Sequence, residues 1–368
     1  MQIFRQPFIP RVRPVPRRFI LPGCVPEHAR AGRAAALGVA LLLFWLALGT
    51  GARANDEIRI MVGGVEKLIY LPTMLAQQLG YFKDEGLDVE ILSQPAGINS
   101  EDQLLAGAVQ GVVGFYDHTI DLQSKGSFVE SVVLLGRAPG EVELVATRRA
   151  GAIKSPADWK GRTLGVTGLG SSTYFLTEFI AVKNGLKPGD VSLLPVGGGE
   201  TFVAALEQGK IDGGMTTEPT ASRLLASGEA KILIDMRTLD ETKKALGGTY
   251  PAASLYMQSA YVEVHRDIVQ RLANAFVRAL RFIATHSAGE IADKMPVSYY
   301  AGNRALYVRA LAEDKSTFTV DGRMPTHGPE TVLSVLSAFS GTVKGKNIEL
   351  SRTYTDEFVD AARRLGIR

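Results

Sequence analysis

The sequence predicts an α/β protein built from two lobes of similar construction. Residues 57–62 (EIRIMV) alternate apolar and charged side chains as a strand does, and a helix that ends at Gly80 separates them from a second strand at 87–92. Downstream, strands at 163–167, 191–195, 211–216 and 231–234 alternate with helices at 173–184 and 200–208. Strands that alternate with helices indicate parallel sheets, and two such series indicate two α/β units.

An internal match supports this division. Leu104-x-x-Gly107-x-Val109-x-Gly111 and Leu206-x-x-Gly209-x-Ile211-x-Gly213 share a pattern in which a helix ends at glycine and a buried strand begins two residues later. Four matched positions are weak evidence of duplication, because this pattern is common. They favour two lobes that are built alike.

The connections between the lobes set the predicted boundaries. A strand-like run at 142–147 and the basic and small residues after it predict a first crossing within 142–155, and a return crossing is expected around 231–256. A strongly amphipathic helix at 268–285 and helices at 304–312, 328–339 and 355–365 follow. We therefore assign 55–147 to lobe 1, 148–240 to lobe 2, and 241–368 to the return to lobe 1 with its C-terminal helices.

Residues 1–54 are typical of a signal peptide. An uncharged apolar run at 34–52 follows several arginines and ends in Ala52-Arg53-Ala54, the small residues that a signal peptidase recognises. The alternative is a retained anchor, since the run approaches the ~20 residues that span a bilayer. Cleavage after Ala54 predicts a periplasmic protein.

The mature chain has few features of an enzyme or a nucleic-acid binder. The whole chain has a net charge of +3, and residues 1–54 alone carry +7, so the remaining 314 residues carry −4. A mature chain with this charge lacks the basic surface that nucleic-acid binding requires. The only cysteine, Cys24, lies in the leader. No nucleophile elbow, phosphate loop or metal-ligand spacing of histidines is present, so we expect no catalysis, no cofactor and no metal.

The glycine loop at 165–180 (GVTGLGSSTYFLTEFI) joins a predicted strand to a predicted helix. A dinucleotide fingerprint would require a third glycine where Thr173 stands and an acidic residue at the next strand end, and both are missing. Two readings remain: an oxyanion site formed by the helix N-terminus with the hydroxyls of Ser171 to Thr173, or plain N-capping by a serine.

Similar polar loops follow the other predicted strands. Because ligands bind outside the carboxyl ends of parallel strands, these loops converge if the two lobes face each other. Each of these polar residues could also have a purely structural role. Lys67 could be a solvated surface charge, and Asp117 could cap the next helix. The predicted ligand-binding residues are Lys67, Tyr70, Asn99, Ser100, Tyr116, Asp117, Ser171, Ser172, Thr173, Tyr174, Thr217 and Glu218.

Two stretches, LAQQLGYFKDEGLDVEI (75–91) and LKPGDVSLLPVGGGETFVAALEQGKIDGGMTTEP (186–219), together with the glycine loop, resemble the periplasmic solute-binding proteins of ABC importers for nitrate, sulfonates, taurine and thiamine pyrimidine precursors. The resemblance implies the type II periplasmic binding protein fold, in which each lobe is a mixed sheet flanked by helices and the ligand lies in the cleft between lobes. It also implies a monomer that closes about a hinge and delivers a small-molecule ligand to an inner-membrane permease with a separate ATPase.

The chain departs from the family in one respect that bears on function. The enzymatic branch, which builds the thiamine pyrimidine, relies on a cysteine-rich motif that the mature chain lacks. Acidic Asp117 and Glu218 would oppose a simple inorganic anion. The expected ligand is therefore a small organic solute, either a sulfonate-like anion or an aminopyrimidine-like compound, flanked by Tyr70, Tyr116 and Tyr174.

Two other functions fit the same residues. One is a periplasmic enzyme that uses Asp117, His118 and Glu218 as acid-base groups. The other is a sensory module that presents its closed lobes to a signalling partner.

Overall fold

The structure, a computed structural model, describes residues 55–300, 302–364 and 366. The predicted signal peptide at 1–54 lies outside the described residues. The strands are β1 Asp56–Val62, β2 Leu87–Ser93, β3 Gly111–Phe115, β4 Val129–Leu134, β5 Glu141–Ala146, β6 Thr163–Val166, β7 Ser192–Pro195, β8 Gly213–Thr217, β9 Ala230–Asp235 and β10 Ala253–Gln258.

The α-helices of the described residues include those predicted from the sequence. They are α1 Leu71–Gln78, α2 Tyr81–Asp84, α3 Gly97–Leu105, α4 Asp117–Ser124, α5 Ser172–Lys183, α6 Gly199–Glu207, α7 Thr220–Ala226, α8 Leu239–Leu246, α9 Ser259–Val264, α10 Arg266–Thr285, α11 Ala288–Ala292, α12 Arg304–Asp314, α13 Gly328–Phe339 and α14 Glu357–Arg364. Within the part of the chain that is described, no helix combines the length and apolar character needed to cross a membrane.

The strands form two mixed sheets, as predicted, and each sheet has five strands. The first has the order β2-β1-β3-β10-β4 and the second β7-β6-β8-β5-β9. In each sheet the first three strands are parallel, and the fourth, β10 or β5, runs antiparallel to its neighbours. The parallel strands of each sheet therefore end at one edge, where the loops that follow them can form a site.

The chain passes between the sheets at 135–140 and again at 236–252. The first passage lies before the predicted crossing at 142–155, because β5 pairs with β8 and β9 in the second sheet. Arg148, within that predicted crossing, donates to the carbonyls of Leu206 and Ile211 at 2.8 and 2.7 Å. Residues 142–155 thus belong with the second sheet, and the passage itself is a short segment that ends at Gly140.

Strand β8 is inserted between β6 and β5 at unusually close range. A Cβ atom at Gly213 would lie 2.3 Å from the carbonyl oxygen of Leu144, and one at Gly214 would lie 2.3 Å from that of Gly165. Only glycine permits this approach, which explains the Gly-Gly pair in a buried strand.

The predicted amphipathic helix packs onto the first sheet as α10. Its apolar face, which includes Leu272, Phe276 and Leu280, is fully buried. Phe276 meets Phe82 of α2 edge to face, with 5.5 Å between ring centroids. Helix α10 therefore belongs with the first sheet, whereas α13 packs against both α4 and α5.

Candidate functional site

A group of buried polar side chains lies where the loops of the two lobes meet. We call Lys67, Asp117, His118, Glu141 and Ser172 the central cluster. Each is at most 6% exposed. Lys67, Asp117 and His118 follow strands β1 and β3 of lobe 1, whereas Glu141 opens β5 and Ser172 opens α5 in lobe 2. The two halves of the cluster thus come from different lobes.

Glu141 is the acidic centre of this cluster. Its Oε1 accepts a 2.8 Å hydrogen bond from the Ser172 hydroxyl, while its Oε2 is buried and finds no partner among the described residues. Burial raises the pKa of Glu141 to about 8, and the charge of Asp117 adds to that increase, although Ser172 and Lys67 oppose it. Oε2 acts as an acceptor in the carboxylate form, which a ligand that donates to it favours by lowering this pKa.

Lys67 supplies a buried ammonium group beside Glu141. Its Nζ donates to the carbonyls of Gly63 at 2.6 Å and Pro95 at 3.1 Å. Burial lowers the pKa of Lys67, and the charges of Glu66 and Glu141 oppose that shift. Two neutral carbonyls therefore hold this ammonium, and no carboxylate of the described residues bonds it directly.

Asp117 presents a second buried carboxylate oxygen without a partner. Its Oδ2 accepts from the hydroxyl of Tyr250 at 2.8 Å, and its Oδ1 is unpartnered among the described residues. Burial raises the pKa of Asp117 to about 6 despite the opposing effects of His118 and Tyr250. Asp117 and Glu141 thus each offer one unused acceptor atom.

His118 lies between two carboxylates. Its Nδ1 is 2.8 Å from Oε1 of Glu101, and its Nε2 is 3.6 Å from Oδ1 of Asp117. Burial lowers the pKa of His118, but the charges of Glu101 and Asp117 outweigh burial and raise it to about 9. An imidazolium held in this way at neutral pH has no lone pair with which to accept a proton.

The lobes are in contact around the cluster. A Cβ at Gly168 of the glycine loop would lie 2.9 Å from Cβ of Ala96, and one at Gly198 would lie 3.2 Å from Cε of Lys67. The backbone N–H of Leu68 also donates to the carbonyl of Glu218 in the other lobe at 3.0 Å. The structure therefore has a closed cleft, and the loop glycines make room for the opposite lobe.

The hydroxyls of the glycine loop serve mainly the loop itself. Ser171 Oγ donates to the carbonyl of Gly168 at 2.7 Å, and Thr173 Oγ1 accepts from the N–H of Thr167 at 2.9 Å. Ser172 alone bonds outside the loop, to Glu141 of the same lobe. The loop thus positions one cluster carboxyl, and its other hydroxyls stabilise the turn before α5.

Glu218 belongs to a separate ion-pair group. Its Oε1 accepts from Arg237 at 2.8 Å, and its Oε2 accepts from the N–H of Ser222 at 2.9 Å. Arg237 also pairs with Asp235 and Glu313. Both oxygens of Glu218 are therefore used, which distinguishes it from Asp117.

Some of the remaining predicted residues lie near the central cluster, and others lie elsewhere. Tyr70 is buried beside the cluster. Burial raises its pKa, and the nearby charges of Glu141 and Asp117 raise it further. Thr217 pairs directly opposite Glu141 in the sheet. Ser100 is buried and its hydroxyl has no partner among the described residues.

Three predicted residues lie away from the cluster. Asn99 is exposed. The hydroxyl of Tyr116 bonds Thr353 at 2.5 Å within lobe 1. Tyr174 lines an outer groove with Glu178 and Phe339.

Three residues at the site are absent from the predicted set. Glu141, Glu101 and Tyr250 contact or surround the cluster, and all three are buried. Glu141 had a sequence signal, because the strand EVELVA carries two glutamates, Glu141 and Glu143, among apolar residues, and buried carboxylates are usually paired. Glu101 and Tyr250 come from segments without a comparable signal.

The chemistry available here is recognition by hydrogen bonds. Among the described residues no group of histidine and carboxylate side chains is arranged to hold a metal ion. The cluster combines an ammonium, an imidazole, a hydroxyl and two carboxyl groups, each of which keeps one oxygen without a hydrogen-bond partner among the described residues. This arrangement suits a small ligand with N–H or O–H donors.

Comparison with known proteins identifies the class. The family model described as NMT1/THI5 like matches residues 69–289, more than half of the chain. The chain belongs to this family. A solved structure from Bordetella bronchiseptica RB50 is 37% identical and covers 85% of this chain and 98% of its own, with a TM-score of 0.81.

More distant relatives share the fold. The alkanesulfonate-binding protein SsuA from Xanthomonas axonopodis pv. citri, solved bound to MOPS, is 17% identical, covers 83% of this chain and 100% of its own, and has a TM-score of 0.67. The architecture is thus that of a periplasmic binding protein, as predicted. The 4-amino-5-hydroxymethyl-2-methylpyrimidine phosphate synthase THI13 of Saccharomyces cerevisiae is 26% identical over 45% of this chain and 47% of its own length. The chain therefore spans about half the length of the first curated relatives that it matches.

Proposed function

We propose that the protein is the periplasmic solute-binding component of an ABC importer and delivers a small organic solute to an inner-membrane permease served by a separate ATPase. The observation that carries this proposal is the pair of unused, buried acceptor atoms, Glu141 Oε2 and Asp117 Oδ1, between two lobes of a binding-protein fold. The family relationship and the fold of SsuA support the importer role.

The same atoms favour one of the two expected ligand classes. A sulfonate placed between Glu141 and Asp117 would meet acceptor atoms, whereas an amino-substituted heterocycle would donate to both. Lys67 Nζ is held by two carbonyls, and His118 Nδ1 lies against Glu101, whereas His118 Nε2 has no hydrogen-bond partner among the described residues and lies 3.6 Å from Asp117 Oδ1. The proposed solute is therefore a donor-bearing, aminopyrimidine-like compound.

The arrangement supports binding over catalysis. The acid-base alternative needs Asp117, His118 and Glu218 as proton carriers. Glu218 is bound at both oxygens, and His118 is a cation between two carboxylates. In the proposed function the solute is released chemically unchanged.

A binding screen tests the proposal. Thermal shift and calorimetry on the purified protein compare aminopyrimidines and amidines with sulfonates and nitrate, since a ligand at 100 times its dissociation constant adds about 2.7 kcal/mol of stability. We expect a donor-bearing compound to bind, and Glu141→Gln and Asp117→Asn to weaken its binding, while the exposed Glu90→Gln does not. Tight binding of sulfonates alone, or recovery of a converted compound, would contradict the proposal.

Uptake provides the second measurement. Cells that lack the protein should lose accumulation of the radiolabelled solute, and the wild-type protein should restore it, whereas Glu141→Gln should not. Unimpaired uptake without the protein would exclude the importer role and leave the sensory alternative.

A further inference from the structure

Four carboxyl groups surround one guanidinium where the chain returns from lobe 2 to lobe 1. Arg237, in the second passage, pairs with Glu218 and Asp235 of lobe 2 and with Glu313 near the end of α12. Asp314 is the next residue of that helix. We call these five residues the hinge group. One guanidinium cannot neutralise four carboxylates, so like-charge repulsion favours a neutral form of the least solvated one.

Asp314 is the least solvated of the four acids. It is fully buried, and neither of its side-chain oxygens has a hydrogen-bond partner among the described residues. Glu218 is also buried but is bonded at both oxygens, and Asp235 and Glu313 are partly exposed. Burial raises the pKa of Asp314 well above its ordinary value, and the charge of Glu218 adds to that increase, although Arg237 opposes it. An ionised carboxylate without hydrogen bonds is costly in such a place, so Asp314 is neutral in this structure.

Asp314 lies between the lobes and beside the first passage. A Cβ at Gly140, the last residue of that passage, would lie 3.1 Å from Oδ1 of Asp314 and 2.7 Å from Cγ2 of Ile69. Helix α12 contacts both Leu68–Tyr70 of lobe 1 and α7 of lobe 2. A rotation that parts the lobes about the two passages would loosen one of these contacts and admit water to the end of α12.

The other charged groups of the elements packed here are held elsewhere. Arg137 of the first passage and Lys315 donate to backbone carbonyls, and Arg223 of α7 pairs with a glutamate of its own lobe. The segment Leu68–Tyr70 contributes the apolar Ile69 at this point. The largest electrostatic effects on Asp314 therefore come from the hinge group itself.

We propose that Asp314 is a proton-dependent latch at the hinge: the closed form holds its carboxyl group neutral, and its ionisation favours the open form. In the closed form this side chain is cut off from water and lies among three other acids. In the open form water hydrates the carboxylate, so the group ionises near its ordinary range. Closure then takes up a proton, and a fall in pH favours the closed lobes before any solute binds. The latch therefore goes beyond the proposed function.

The experiment measures the ratio of closed to open protein without solute, from pH 5 to pH 9. Cys24→Ser removes the only cysteine of the chain, and Lys83→Cys in lobe 1 and Lys210→Cys in lobe 2 then supply two exposed labelling positions. Single-molecule energy transfer between dyes at these positions distinguishes the two forms. This labelled protein is the reference for the variants.

The variants compare a buried acid with an exposed one. Asp314→Asn keeps the shape of the side chain and is neutral at every pH, and Asp88→Asn makes the same change at an exposed position of β2. Each proton taken up on closure lowers the closed-to-open ratio about tenfold per pH unit, between the pKa values of that group in the open and closed forms. We expect the ratio to fall as the pH rises in the reference protein, and to fall by one proton less in Asp314→Asn, which stays closed to a higher pH. Asp88→Asn should follow the reference, and Asp117 and Glu141 add the same dependence to all three proteins.

Two results overturn the inference: an equal pH dependence in the reference protein and Asp314→Asn, or a ratio that does not change with pH in either. A change in melting temperature alone would show that the carboxyl group is merely structural, and would overturn it as well. If Asp314→Asn does not fold, Asp314→Leu, which is also neutral and of similar branching, takes its place with the same expected result. Because no solute is used, failure of this test leaves the proposed function standing, and failure of the solute screen leaves the latch standing.

Discussion

Substitution of Glu141 by glutamine should change how the stability of the protein depends on pH. Glutamine keeps an acceptor for the Ser172 hydroxyl and removes only the ionisable proton. Burial raises the pKa of Glu141 from 4.5 to about 8. Between these two pH values the folded protein holds a proton that the unfolded chain has released.

The sign and size follow from proton linkage. Because the folded state binds more protons, the stability associated with a protonated Glu141 is fully present below pH 4.5 and is lost as the pH rises to about 8. At 1.36 kcal/mol for each pKa unit, the loss is roughly 5 kcal/mol, an upper bound because opening of the lobes would solvate the carboxylate. The raised pKa values of Asp117 and His118 act in the same direction in both proteins.

Urea denaturation at pH 5, 7 and 9 measures the effect. The variant should gain stability over the wild type as the pH rises, with the largest difference at pH 9. Glu90→Gln, at an exposed strand position, is the control for the chemical change itself. Parallel stability profiles for the wild type and Glu141→Gln would show that Glu141 is solvated in solution, and the closed, buried cluster would then be wrong for the ligand-free protein.

Three further outcomes test the framework. Arg237→Ala leaves a buried carboxylate unpaired and should cost about 3–5 kcal/mol in urea denaturation, whereas Arg304→Ala, in an exposed pair, should cost less than about 1 kcal/mol. Gly214→Ala, which would place its Cβ 2.3 Å from a backbone oxygen, should abolish the folded circular dichroism spectrum, and Gly151→Ala, with open space around it, should not. Trp159 is fully buried, so its fluorescence should stay constant during saturating ligand binding; a large change would mean that closure repacks the core of lobe 2.

The fold was predictable because its signals are local. Alternation of apolar and charged residues marked β1, and glycines in the left-handed conformation, such as Gly80 and Gly185, end helices where the sequence indicates. Helix α8 was missed although Thr238 caps it and Gly247 terminates it. Its polar interior, DETKK, contains no apolar residue that would mark a buried face.

The site was harder to predict because its members meet only through the fold. The rule of loops after parallel strands selected Lys67 and Asp117, and both lie where the two lobes meet in the structure. Glu141 lies at the start of an antiparallel strand that follows the short passage between lobes, so a rule based on the ends of parallel strands could not find it. The partners of Glu218 also depend on the return passage, where Arg237 stands.

The positions of Glu141 and Asp117 connect selectivity with closure. Each unpartnered, buried acceptor costs about 1–3 kcal/mol, and this cost arises only when the lobes are closed. A solute that donates to both oxygens removes this cost in the closed form. In the open form it gains less binding free energy, because water already donates hydrogen bonds to the same oxygens. Since a ligand shifts an equilibrium only by its differential affinity for the two states, donor-bearing solutes would drive closure and simple anions would not. The same two oxygens would then select the solute and, once bound, stabilise the closed form that a permease recognises.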